Sequence, residues 1–85
     1  MEITRFNRGK TKLDVIVHID ETLDEQNRQR IEHAMLRASG VERARFNNKR
    51  QHLLIVGYDP AITCSSKILK LVQQHRLNAQ LIGGL

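Results

Sequence analysis

Residues 15–31, VIVHIDETLDEQNRQRI, decide the fold, because an alternating apolar run breaks off at charged residues and a helical pattern follows within a few positions. Taken from Leu13, the run puts Leu13, Val15, Val17 and Ile19 on one face and Asp14, Ile16, His18 and Asp20 on the other. A period of two residues is the signature of a strand with one buried face. Thr22-Leu23-Asp24-Glu25 then has the form of a capping box, with Thr22 as the expected cap and Glu25 reaching back to it. Ile31, Ala34, Met35 and Ala38 recur at helical spacing, Leu23 and Asn27 extend the stripe backwards, and Gly40 supplies the left-handed residue expected to close the helix.

Downstream, Val41, Ala44 and Phe46 mark a second strand with a slight irregularity, and Asn47-Asn48-Lys49-Arg50 is turn chemistry. Residues 53–58, LLIVGY, are apolar on both faces, as a central strand requires, and Asp59-Pro60 ends the run. Thr63 is placed to cap a second helix whose face carries Ile68, Leu71, Val72 and His75, and which fades over Arg76 to Asn78. Ala79 to Ile82 gives a short last strand before a flexible Gly83-Gly84 end.

Right-handed crossovers with a hairpin between the second and third strands define an α+β, ferredoxin-like βαββαβ sandwich. Its antiparallel sheet has the order 4-1-3-2, with two helices on one face. The topology gathers the junction after the first strand, the 47–50 hairpin and the turn near His75 at one end, and leaves Cys64 at the other.

A chain of 85 residues holds one domain and one modest core. We divide it into a basic arm, 1–12, and a single domain, 13–85. No apolar run approaches the roughly 20 residues of a membrane helix, and residues 1–12 lack the apolar core of a secretory signal, so a cytoplasmic location without membrane insertion is expected. The single cysteine excludes an internal disulfide and a Cys-only metal site within one chain. The net charge of +5 is spread along the sequence, favouring solubility or a protein partner over nucleic acid.

From Leu13 to Leu81 the chain resembles the heavy-metal-associated domains of copper chaperones, mercuric-ion carriers and metal-ATPase N-terminal modules. The marks are the Ile31-Glu32-His33-Ala34-Met35 run before Gly40-Val41, the Tyr58-Asp59-Pro60 strand ending, the Ile68-to-Val72 helix and the closing Ala79-x-Leu81. That family carries a Met-x-Cys-x-x-Cys loop between the first strand and first helix. The resemblance places Asp24 and Asn27 at its two cysteines and Thr22 at its methionine. Copper(I) prefers soft thiolate donors, so soft-metal transfer is not carried over.

Four candidate chemistries remain. Asp24, Asp20, His18 and His75 converge towards one end as a possible site for zinc, nickel or divalent copper, against the plain alternative that Asp24 serves the helix start. Cys64, in the expected first turn of the second helix, has amide dipoles nearby but no partner cysteine or neighbouring histidine, so an incidental thiol is the expectation. Ile16, Leu53, Ile55 and Ile82 share the open sheet face with His18, Arg43, Arg45 and Gln80, an apolar patch with a basic rim fitted to a protein partner or a second copy of the chain. Single-stranded RNA on that face is disfavoured, because stacking needs aromatic residues on the central strands and these positions are aliphatic. No nucleophile triad, phosphate loop or paired carboxylates points to an enzyme, and His33 is expected to face solvent. The expected function is a protein-binding accessory module without a thiolate site, within a metal-homeostasis system. A divalent-metal binder is the alternative.

Overall fold

A computed structural model describes residues 12–84; all of the expected basic arm but Lys12 lies outside them. The elements are β1 (Leu13–Ile19), α1 (Glu25–Leu36), β2 (Val41–Phe46), β3 (Leu53–Tyr58), α2 (Ser65–Gln73) and β4 (Ala79–Gly84). The strands form one sheet in the order β2-β3-β1-β4, the expected ferredoxin-like topology read from its other edge. All three pairings are antiparallel, with His18 opposite Leu53 and Leu13 opposite Tyr58 in the central pair.

The faces divide as the alternation predicts. Val15, Val17 and Ile19 of β1, Val41, Ala44 and Phe46 of β2, and Leu54, Val56 and Tyr58 of β3 are buried, where they meet Ile31 and Met35 of α1 and Ile68 and Val72 of α2. A register shift between Val41 and Arg43 is the irregularity seen in β2: one extra residue there brings Ala44 and Phe46 back onto the buried face.

Helix boundaries depart from expectation at both starts. Asp24, not Thr22, caps α1: its Oδ1 accepts the Asn27 amide at 2.8 Å. The chain is held extended before that point, since the Asp20 amide donates to the Asn78 carbonyl at 2.8 Å and Glu21 accepts the Asn78 amide at 2.9 Å. The first helical residue is therefore Glu25. Asn27 is exposed and does not extend the buried stripe. Cys64, not Thr63, is the cap residue of α2, and it makes no side-chain capping bond.

Gly40 does take a positive φ, +87°, but the helix has already ended at Leu36. The glycine instead turns the chain into β2, where its carbonyl accepts the Asp59 amide at 2.8 Å. His75 lies beyond the end of α2 in an exposed turn, so it leaves the helix face on which it was expected. Gly83 and Gly84 are not a loose tail. They pair with Ile16 and Val15 after a register shift between Ile16 and Val17, and β4 runs its full length along β1.

Candidate functional site

The β1–α1 junction, the β2–β3 hairpin and the α2–β4 turn meet at one end of the sheet, as the topology requires. Carboxylates at this end hold backbone. Asp24 caps α1, and Glu21 binds both the amide and the side-chain amide of Asn78, the latter at 3.0 Å. Arg28 Nη1 donates to the Leu23 carbonyl, which fixes the last loop residue before the cap.

The four predicted metal ligands are only partly brought together. His18 Nδ1 lies 3.2 Å from Asp20 Oδ1, but it is enclosed and off the line that a hydrogen bond requires. Gln80 Nε2 also approaches Asp20 Oδ1, at 3.4 Å. Asp24 is engaged at the helix start, and His75 is exposed in its turn. Among the described residues no group of three His, Cys, Asp or Glu side chains is placed to hold a metal ion. Asp24 and Asn27, the positions that the resemblance assigns to paired ligands, are instead bonded to each other, with a carboxylate and an amide as their donors. Hard oxygen donors of this kind do not fit copper(I).

His52 is a site residue that the sequence pattern did not reveal. Its ring stacks on His18, with centroids 5.8 Å apart and planes 18° from parallel. Its Nδ1 lies 2.7 Å from the Ile19 carbonyl. A carbonyl oxygen only accepts, so Nδ1 carries the hydrogen and Nε2 is the nitrogen left for another partner. The one available signal was its position next to Leu53, which pairs with His18. The two imidazoles border a cleft of about 590 Å³ between the hairpin and the end of β4.

On the open face of the sheet, Ile16, Leu53 and Ile55 are half-buried and Ile82 is 52% exposed. Arg43 and Arg45 are exposed on β2, as expected. Arg43 does more than rim the patch. Its guanidinium reaches across β3 to Asp14 on β1, with Nη2 2.7 Å from Oδ1. Gly57 makes the crossing possible: a Cβ there would stand 2.8 Å from Arg43 Nε and 3.0 Å from Asp14 Oδ1. The aliphatic strip is therefore bounded at that end by a neutralised pair.

At the opposite end, Cys64 is exposed and 3.2 Å from Ser66 Oγ. That hydrogen bond, helped by the Lys67 amide, lowers the thiol pKa below its ordinary value. The cleft and the thiol lie at opposite ends of the fold.

The fold is that of heavy-metal-associated domains. Oxidised MerP from Ralstonia metallidurans CH34 matches with a TM-score of 0.74 at 14% identity, over 85% of this chain and 99% of its own. The apo copper chaperone of Enterococcus hirae matches at 0.71 and 22% identity, over 80% and 98%. The N-terminal domain of a potential copper-translocating P-type ATPase from Bacillus subtilis, in its Cu(I)-loaded state, matches at 0.76 and 20% identity, over 87% and 91%. No protein-family model and no curated protein matches the sequence. No helix among the described residues is long and apolar enough to cross a membrane.

Proposed function

We propose that this chain is an accessory module of a metal-homeostasis system, built on the heavy-metal-associated fold without its soft-metal thiolate site. It binds a protein partner or a second copy of itself through the open sheet face. The observation that carries this reading is the strip of Ile16, Leu53, Ile55 and Ile82 on the uncovered side of the two central strands and β4. Clustered aliphatic side chains left half-exposed are a source of association free energy, at about 25 cal/mol per Å² of apolar surface removed from water. The bonded Asp24–Asn27 pair supports the other half of the reading, since that loop offers oxygen donors. Ile55→Glu tests the proposal. The fold is retained, because Ile55 is not part of the buried core, while self-association and partner capture are lost. Unchanged mass by light scattering together with unchanged pull-down would count against it.

A second reading, divalent-metal binding by imidazole and carboxylate, is favoured by one observation: His18 and Asp20 stand 3.2 Å apart with His52 stacked alongside. Zinc, nickel or divalent copper suits such donors. Isothermal titration with each of these ions, giving no binding in the micromolar range, would remove this reading.

A further inference from the structure

The cleft beside the hairpin has a composition that the sheet-face reading does not use. Its floor is aliphatic, made by Leu23 from the β1–α1 loop, Leu53 at the start of β3 and Ile82 of β4. Its hairpin wall carries Lys49 and Arg50, and the imidazoles of His18 and His52 complete the lining. None of the described residues that line it is a carboxylate; Asp20 lies alongside, against His18. Among the described residues the ion pairs join Lys12 to Glu42 and Arg43 to Asp14, and Asp20 faces the His18 ring, so Lys49 and Arg50 are in none of these contacts. The hairpin backbone is nevertheless fixed, because Asn47 Oδ1 accepts both the Lys49 amide, at 2.8 Å, and the Arg50 amide, at 2.9 Å. Two cationic residues thus stand on a turn of fixed backbone, in the same cleft as three aliphatic side chains.

We infer that this cleft binds an acidic, aliphatic peptide segment of a partner protein, with its aliphatic side chains on Leu23, Leu53 and Ile82 and its carboxylates on Lys49 and Arg50. The inference deepens the sheet-face proposal and rests on it, since Leu53 and Ile82 belong to both surfaces. Charge complementarity selects the sign of the occupant: a site with two cations and no carboxylate among its described lining residues favours an anionic ligand. The floor selects its class. Single-stranded nucleic acid binds by stacking bases on aromatic rings along a basic track, and beyond the two imidazoles no aromatic side chain among the described residues lines this cleft. Arginine adds geometric preference, because its planar guanidinium pairs with both oxygens of a carboxylate.

Fluorescence polarisation with a short labelled peptide alternating leucine and glutamate tests the inference on the full chain. The same peptide with glutamine for glutamate and a labelled oligothymidylate serve as competitors for the interpretation. The acidic peptide is expected to bind at least roughly tenfold more tightly than the glutamine peptide, and to weaken by a similar factor in Lys49→Glu/Arg50→Glu and on raising salt. Both residues are exposed, so the double variant keeps its circular dichroism and melting temperature. Equal binding of the two peptides, unchanged binding by the double variant, or tighter binding of the oligonucleotide overturns the inference. Failure of the peptide while Ile55→Glu still abolishes association removes the cleft and leaves the sheet-face reading standing; loss of both effects removes both.

Discussion

The two faces of the sheet are built from the same alternating strands, yet they answer to different constraints. On the helix side, Val17, Leu54 and Val56 are fully buried, and the side chains meet Ile31, Met35, Ile68 and Val72. On the other side, the neighbouring residues Ile16, Leu53 and Ile55 are just as apolar but only half-buried, and no element covers them among the described residues. Hydrophobic residues on the closed face stabilise the fold; those on the open face retain free energy that is available for association. Composition alone does not separate these roles. Position in the register does.

Leu54 and Ile55, adjacent in β3, make the sharpest test of that difference. Leu54→Ala leaves a cavity between sheet and helices and is expected to cost about 2–5 kcal/mol. Ile55→Ala removes a half-exposed side chain and is expected to cost under about 1.5 kcal/mol, from lost transfer energy alone. Urea unfolding of both variants, compared at unchanged m-value, measures the contrast. Similar losses at the two positions would mean that the open face is as well packed as the closed one and would count against a docking surface there.

The contrast between faces was legible in the sequence because burial and pleat share one period, and the bulge in β2 was legible because Ala44 and Phe46 resume that period one residue late. Other features depend on contacts between residues far apart in the chain. Thr22 and Asp24 are both good caps; what chooses Asp24 is the attachment of residues 20–21 to Asn78, which keeps the backbone extended past Thr22. Gly83 and Gly84 read as a loose end because glycine weakens strands, yet β1 supplies an edge to pair with, and Ile16 Cδ1 lies 3.7 Å from where a Gly83 Cβ would be. His52 belongs to a turn by its sequence, and only the bond to Ile19, across 33 positions, folds its ring onto His18. Glu32, off the apolar stripe of α1, similarly accepts the Phe46 amide at 2.8 Å, tying the helix to the edge strand. The candidate site was thus readable where it follows the strand period and unreadable where it depends on loops meeting.

A smaller effect sharpens the comparison from the open side. The Arg43–Asp14 pair crosses β3 over Gly57, with both side chains more than half exposed, so the pair contributes about 0.2–1 kcal/mol in a double-mutant cycle. The crossing depends on a missing Cβ. Gly57 has no positive φ, so alanine is compatible with its backbone, and the atoms it would crowd are the ends of flexible side chains. Gly57→Ala is therefore expected to leave stability within about 1 kcal/mol of the parent, since the relief of glycine's entropic cost in a strand offsets the displaced pair. The Arg43–Asp14 coupling, measured by repeating the cycle in the Gly57→Ala background, is expected to fall to nearly zero. On the closed face no such substitution is neutral, because a displaced group there meets packed core. A coupling that persists unchanged in the alanine background would mean that the two side chains reach each other by a route that does not cross Gly57, and that the open face is not shaped by this glycine.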